Sequence, residues 1–371
     1  MSTAPSPRSS RASGEVRRVL VVKICCIGDV VLTTPLARAL RAAWPRAEIC
    51  YLTGAFSLEV ARRVPWADRV IEFPERASVA ARAAFLVAMR RERFDVGFCT
   101  HKRLPATLGL ALTGCRIRVG YDYRGHGVPL THRVPFDAHE HEVRRVLSLL
   151  GPLGVPDAGD TCSLRLLPGD AESADVLLRR AGVDPDRPLA AVFPGGGVNP
   201  GTTLAAKRWT VEGFRALSVF LRDRAGLQVA VIGGPGDEPR VRDVAGGLGA
   251  GVAAVADGSP LGTMMGVLAR CRTMAGGDSG LTHIAAALGV PTLALFGPTD
   301  PGQWAPLGPQ HVHVTRALPC SPCFTADERL SATFRACRTW ECLQALPADV
   351  VISAAETHLR RLGMFPCRKE P

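Results

Sequence analysis

Short apolar runs alternate with helical runs along most of the chain, and this alternation limits the possible folds more than any other feature. In the first half, strand-like runs fall at residues 18–22, 49–52, 69–73, 95–100 and 117–120. Helical periodicity is read between them at 29–43, 58–64, 78–91 and 104–112. Val30, Val31, Leu36 and Leu40 share one face of the first helix. Strands separated by helices build βαβ units, in which the strands run parallel and helices cover the sheet. The pattern starts again in the second half, with strands at 189–193, 228–232, 252–255, 273–275 and 292–296. Helices at 211–224, 239–248, 261–270 and 281–288 connect them. A length of 371 residues exceeds what one core usually fills. The expectation is two α/β domains facing each other across a cleft, a usual place for a ligand.

Between the halves the reading is less regular. Residues 121–136, with Arg124, His126, His132 and Arg133, lack a clear period and suit a loop or short irregular strands. A helix at 141–150, a Gly/Pro-rich stretch at 151–160 and a short strand at 164–167 lead to a new helix starting at 168–170. The expected division is a basic, disordered tail at 1–17, a first domain at 18–167, a second at 168–347, and a C-terminal helix and tail at 348–371. The helix read at 348–362 is long enough to pack back across the domains.

The net charge of +11 suits a nucleic acid, an anionic membrane face or an anionic substrate. Aromatic residues make up only 6%, with no Arg/aromatic clustering of the kind that stacks bases, so nucleic acid is the weakest of the three. No apolar run approaches the roughly 20 residues of a membrane helix, and the Ser/Pro/Arg-rich start has no apolar segment of secretory type. The expected location is the cytoplasm, with peripheral contact at the inner membrane face. In that reducing compartment the 12 cysteines stay thiols, and Cys50, Cys99, Cys115 and Cys271 read as small buried hydrophobes.

Five stretches carry candidate chemistry. Asp29 follows Gly28 at a strand-to-helix turn. Helix capping is the plainer reading from spacing alone, and a general base taking a proton from an acceptor hydroxyl is the functional one. Residues 194–207, PGGGVNPGTTLAAK, let backbone approach a ligand closely, and offer the hydroxyls of Thr202 and Thr203 and the cation of Lys207 for a diphosphate leaving group. No Gly-Lys-Ser/Thr occurs there, so it is not a Walker loop. Gly233, Gly234 and Gly236 miss the G-x-G-x-x-G spacing; Glu238 beyond them suits a ribose hydroxyl or an exposed helix start equally well. Residues 276–300, GGDSGLTHIAAALGVPTLALFGPTD, place Asp278, Ser279, Gly280, Leu281 and His283 where a helix begins. Free N–H groups and the helix dipole make such a turn an anion site. Cys320, Cys323, Cys337 and Cys342 are spaced C-x2-C-x13-C-x4-C. The first pair has zinc-ligand spacing and the second is wider than usual, so plain thiols are favoured.

Five stretches in order, VLVVKICCIGDVVLTTPLARAL, HEVRRVLSLL, FPGGGVNPGTTLAAKRW with VIGGPGDE, GGDSGLTHIAAALGVPTLALFGPTDP, and PCSPC with the two later cysteines, give the chain a resemblance to the bacterial heptosyltransferases of glycosyltransferase family 9. It runs from Arg18 to about Leu346. It implies the GT-B fold, two Rossmann-like domains with the C-terminal helix crossing back, and an inverting, metal-independent reaction that needs no cofactor. The implied donor is a nucleotide sugar, ADP-heptose, and the implied acceptor an anionic glycolipid of the lipopolysaccharide core. Asp29 matches the family's base and Lys207 its donor-phosphate contact. Thr202 and Thr203 match the Thr pair, and Asp278, Ser279, Gly280, Leu281 and His283 the nucleotide-sugar segment. Cys25 and Cys26 depart from the family's small polar residues. A transferase of the same fold using another nucleotide sugar or acceptor stays open at this point, as do two readings from other classes: a nucleotide-dependent oxidoreductase or epimerase, and a non-catalytic binder of nucleic acid or membrane.

Overall fold

The computed structural model describes residues 15–199, 202–328 and 331–365. Two parallel six-stranded sheets form its centre. In the first, β1 (Arg18–Val22), β2 (Glu48–Gly54), β3 (Arg69–Phe73), β4 (Val96–Cys99), β5 (Ile117–Asp122) and β6 (His132–Pro135) lie in the order β3-β2-β1-β4-β5-β6. After β7 (Leu189–Phe193) a small antiparallel hairpin pairs β8 (Val198–Asn199) with β9 (Thr202–Thr203). Then β10 (Gln228–Ile232), β11 (Val252–Val255), β12 (Thr273–Gly277), β13 (Thr292–Phe296) and β14 (His311–Thr315) complete the second sheet in the order β11-β10-β7-β12-β13-β14.

Six helices accompany the first sheet: α1 (Ile27–Val31), α2 (Thr34–Ala43), α3 (Leu58–Ala61), α4 (Val79–Ala88), α5 (Leu104–Leu112) and α6 (Glu142–Ser148). The later chain forms α7 (Asp170–Arg180), α8 (Val211–Asp223), α9 (Glu238–Ala245), α10 (Leu261–Arg270) and α11 (Gly280–Ala287). It ends with α12 (Pro301–Trp304), α13 (Ala332–Ala336), α14 (Glu341–Gln344) and α15 (Ala348–Arg361). Among the described residues no helix is long and apolar enough to cross a membrane.

Both sheets follow one winding plan, with the order of strands reversing between β1 and β4 and again between β7 and β12. In doubly wound sheets the ligand crevice lies beyond the carboxyl ends of the strands at that reversal. The turn after β1 holds Asp29, and the turn after β12 holds Asp278. Central strands such as β7 (LAAVF) and β10 (QVAVI) are buried along their whole length, as strands covered on both faces must be. One apolar cluster runs through both domains, joining Val30 and Leu32 to Ile284 and Phe324.

Three features differ from the sequence expectations. The helix read at 29–43 is broken into α1 and α2. Pro35 sits in the first turn of α2, where its missing N–H costs nothing, and Thr33 and Thr34 donate to the carbonyls of Val30 and Val31. Residues 164–167 join no sheet. Leu164 N donates to Ala287 O and Arg165 N to Arg63 O, so this segment stitches one domain to the other. The irregular stretch at 121–136 supplies the edge strand β6, and β14 was not read from the sequence at all.

Paired groups hold the domains closed. Arg63 donates through Nε and Nη2 to both oxygens of the buried Asp170, at 3.0 and 2.7 Å. Glu59 accepts from Leu261 N at 3.0 Å. On another face of the molecule Lys102 Nζ donates to Ala326 O at 2.5 Å, with its ammonium 4.1 Å from the Tyr123 ring centre.

The last helix packs back on α8 and β14, burying Val351, Ala355 and Leu359 in the second domain's core. It brings His358 near His311 of β14, and burial holds both imidazoles down, to about 4. An unfolded histidine titrates near 6.5. Between about 4 and 6.5 the unfolded chain therefore binds more protons, and stability rises with pH through that window. The thermal midpoint is expected to fall between pH 7 and pH 5. His358→Phe removes an imidazole whose Nε2 is buried without a hydrogen-bond partner, and should flatten that slope. An unchanged slope in the variant would show that other groups carry the acid sensitivity.

Candidate active site

β1 delivers the chain into a tight turn. Cys26 there has φ 68°, a left-handed conformation costing a non-glycine residue roughly 1–3 kcal/mol. Cys26 is also the N-cap residue of α1 and makes no side-chain capping bond. Asp29 therefore stands in the helix's first turn and is not its cap. Its Oδ2 lies 3.4 Å from Lys23 Nζ. Gly28 leaves no room for a side chain: a Cβ there would come within 2.9 Å of His283 Cδ2.

The facing turn belongs to the second domain. Ser279 caps α11, its Oγ accepting from Thr282 N at 3.4 Å, while Thr282 Oγ1 donates to Gly277 O at 2.6 Å. Gly280 is as tight as Gly28, with Ile27 Cγ2 2.9 Å from where its Cβ would sit. Asp278 is buried at this turn and receives Lys207 Nζ at 2.6 Å, and His283 Nε2 lies 3.6 Å from its other oxygen. Burial alone would push the Asp278 carboxyl up. The Lys207 ammonium and the His283 ring outweigh it and hold the group well below the usual carboxylate range. Lys207 also lies 5.2 Å from the centre of the Phe324 ring, which limits its swing.

Asp29, Lys207, Asp278, Ser279, Gly280 and His283 line one hollow of about 100 Å³ between the domains. A larger hollow of about 470 Å³ shares Gly28, Gly197, Ser279 and Gly280 with it and extends over Phe193, Gly233, Gly234, Asp237, Met264 and Leu281. The small hollow holds an acid and a cation for chemistry, and the large one has apolar walls and glycine edges for a flat ligand.

The remaining expected residues fall as follows. Leu281 lines the large hollow. Thr202 and Thr203 form β9, and their side chains lie outside the described residues. Glu238 does not line either hollow. Its carboxylate accepts from Gly236 N at 2.8 Å, and it borders a depression near Leu177 and Arg180. Its neighbour Asp237 is the acid that faces the large hollow, buried, with Oδ2 accepting from Gly234 N and Oδ1 without a hydrogen-bond partner. Cys320 is exposed, Cys323 and Cys337 are partly buried, and Cys342 is buried. Burial pushes the Cys342 thiol up to about 11. Among the described residues no group of three or more His, Cys, Asp or Glu side chains is arranged to hold a metal ion, while Cys320, Cys323, Cys337 and Cys342 are near enough for the charges of Cys320 and Cys337 to raise the thiols of Cys323 and Cys342.

The profile described as "Glycosyltransferase family 9 (heptosyltransferase)" matches residues 82–333, more than half of the chain. The chain belongs to glycosyltransferase family 9. Membership decides among the three readings of the sequence in favour of a glycosyltransferase. Lipopolysaccharide heptosyltransferase 1 of Pseudomonas aeruginosa is 42% identical over 125 residues, which span 33% of this chain and 34% of that protein. Lipopolysaccharide heptosyltransferase 2 of Escherichia coli is 25% identical over 305 residues, 78% of this chain and 85% of that one. Among solved structures, a family 9 glycosyltransferase from Veillonella parvula superposes with TM-score 0.77 at 21% identity, over 94% of this chain and 99% of that one. The two-domain GT-B architecture of family 9 is thus the architecture of this chain.

Three residues behind the turn of this family 9 enzyme were assigned no role from the sequence. Lys23, Glu142 and Arg145 are all nearly inaccessible to solvent, at 3%, 7% and 2%. A lysine directly after a buried strand was the available sign, since ammonium groups are almost never buried unless paired.

Proposed function

We propose that this enzyme transfers heptose from ADP-heptose, with inversion, to an anionic glycolipid of the lipopolysaccharide-core type. The observation that carries the proposal is that Asp29 of one domain and the Lys207–Asp278 pair of the other line the same hollow. In the proposed reaction Asp29 removes the proton of an acceptor hydroxyl as its oxygen attacks the anomeric carbon from the face opposite the diphosphate. The bond from that carbon to the diphosphate oxygen breaks, and the electron pair leaves with the nucleotide. Lys207 and the N–H groups at the start of α11 receive the charge that develops there. These groups provide the positive potential that other enzymes draw from a divalent metal, so the scheme is metal-independent.

The nucleoside belongs in the large hollow, with Phe193, Met264 and Leu281 against the base and Asp237 placed to accept from hydroxyl or amino groups. Solved structures of E. coli heptosyltransferase WaaC with ADP and with ADP-2-deoxy-2-fluoro heptose support the choice of nucleotide. The anionic acceptor is supported by a third hollow, of about 680 Å³, lined by Arg103, Tyr123, Arg124 and His126 of the first domain and by Asp327, Glu328 and Arg335 of the second. It lies three residues along the chain from Phe324 of the catalytic hollow, within about 11 Å of extended backbone. The net charge of +11, with an acceptor anchored in a bilayer, supports a position in the cytoplasm against the inner membrane face.

The test is a thermal-shift series with ADP-heptose and with GDP- and UDP-sugars. A ligand that binds only the native state at 100 times its Kd stabilises by about 2.7 kcal/mol, several degrees for a chain of this size. ADP-heptose is expected to give that shift, with EDTA making no difference. A shift with UDP- or GDP-sugars alone would sink the donor assignment.

A further inference from the structure

Behind Asp29 lies a buried row of alternating charges. Lys23 Nζ sits 3.4 Å from Asp29 Oδ2 and 3.5 Å from Glu142 Oε1. Glu142 Oε2 accepts from Arg145 Nε at 3.2 Å and from Nη2 at 2.5 Å. Arg145 Nη1 donates to Asp137 O at 2.7 Å, and its guanidinium lies 4.8 Å from the Phe136 ring centre. The row therefore runs Arg145, Glu142, Lys23, Asp29, two cations alternating with two anions, and only Asp29 reaches the hollow.

The Lys23 distances are informative. Charge-assisted N–H to O contacts usually close to about 2.7–2.9 Å, as Lys207 and Asp278 do at 2.6 Å. The Lys23 ammonium instead stands almost midway between two carboxylates. An ammonium given wholly to Asp29 would make that carboxylate a weak base, because an opposite charge at contact distance lowers a carboxyl by roughly 1–3 pKa units. Sharing the cation with Glu142 reduces that effect, and Arg145 holds Glu142 in place.

We propose that Glu142 and Arg145 are positioning residues that share out the Lys23 ammonium and thereby set the basicity of Asp29. The proposal rests on the reading of Asp29 as the base.

Other charged or titratable groups surround the same turn. Cys25 and Cys26 are on the turn itself, and His101 accepts from Ile24 N. Cys99 faces Lys23 and Tyr121 faces Glu142, both with burial pushing them up. His141 Nε2 is 2.9 Å from Ala305 O. From α11 comes His283, with Asp278 and Lys207 beyond it, and from α3 comes Glu59, which is engaged with Leu261 N. None of these is changed by the substitutions below.

The pH profile of kcat/KM tests the proposal, using the full chain, ADP-heptose and a water-soluble acceptor oligosaccharide. Glu142→Gln removes the carboxylate that competes with Asp29 for Lys23, so the acidic limb is expected to move down by about one pH unit, with a several-fold lower plateau. Lys23→Met removes the cation and leaves Asp29 facing a carboxylate, so the limb is expected to move up by about one unit. Lys23→Arg keeps the charge and should keep the wild-type limb. Shifts in opposite directions for the first two variants support the proposal, because a purely structural role would lower stability and leave the limb in place. An unmoved limb, or two shifts of the same sign, overturns it. Should Glu142→Gln fail to fold, the comparison of Lys23→Met with Lys23→Arg still decides: limbs that coincide overturn the proposal. If Asp29→Ala retains the wild-type profile, the base assignment itself has failed, and this proposal falls with it. If Asp29→Ala is inactive and the limbs do not move, only this proposal has failed.

Discussion

Asp29→Ala is expected to lower kcat by ~10²–10⁴-fold, the usual contribution of a positioned general base. The KM for the nucleotide sugar should change little, because the donor-side groups Lys207, Asp278 and Ser279 all belong to the other domain. The structure removes the competing explanation that Asp29 merely caps a helix, since the cap position of α1 is taken by Cys26. Alanine does leave Lys23 with only Glu142 of its two carboxylate neighbours, so some stability is lost as well. Asp29→Asn keeps the shape of the side chain and separates the two effects. Its kcat should be as low as that of the alanine variant, with a thermal midpoint nearer wild type. Full turnover by either variant would leave Asp29 as a partner for Lys23 and nothing more.

The second large effect is expected at Lys207. Lys207→Met keeps most of the side chain's bulk but removes the charge proposed to face the departing diphosphate, for an expected loss of ~10²–10³-fold in kcat. It also strands Asp278, whose side chain is only 8% exposed, without its ammonium partner. Breaking a buried pair in this way costs about 3–5 kcal/mol, so the variant should melt well below wild type. The double variant Lys207→Met/Asp278→Asn removes both charges. It is expected to recover most of the thermal midpoint and none of the turnover. Recovery of turnover would mean that Lys207 serves only to neutralise Asp278 and makes no contact with the donor.

The parts of this fold that could be read from the sequence are those where one physical requirement dominates. Strands such as β7 and β10 are buried on both faces and so appear as unbroken apolar runs. The edge strands β6 (HRVP), which has no alternation, and β14 (HVHVT), which alternates polar with apolar residues, each bury only one residue fully, so their pairing depends on a neighbour the sequence does not name. The break between α1 and α2 lies in threonine and proline chemistry within an otherwise helical period. Asp29, Lys207, Asp278 and His283 were legible because each sits in or beside a turn where a strand hands over to a helix. The Lys23–Glu142 contact joins residues 119 positions apart, and nothing local marks it. Asp237 and Glu238 are adjacent acids, and only the start of α9 decides which of them turns toward the ligand hollow.

Gly28 and Gly280 bring the two catalytic turns into direct contact, each glycine seated against a side chain of the opposite domain. This contact bears on how the enzyme avoids wasting its donor. Any parting of the domains wide enough to admit a large acceptor must lift Gly28 off His283 and carry Asp29 away from the Lys207–Asp278 pair. A nucleotide sugar held by the second domain alone then has no base beside it, so water entering the open cleft meets the donor without activation. On the proposed chemistry, the complete set of groups is assembled only while the two turns are in contact, which would tie bond cleavage to that closed arrangement and protect the activated sugar from futile hydrolysis.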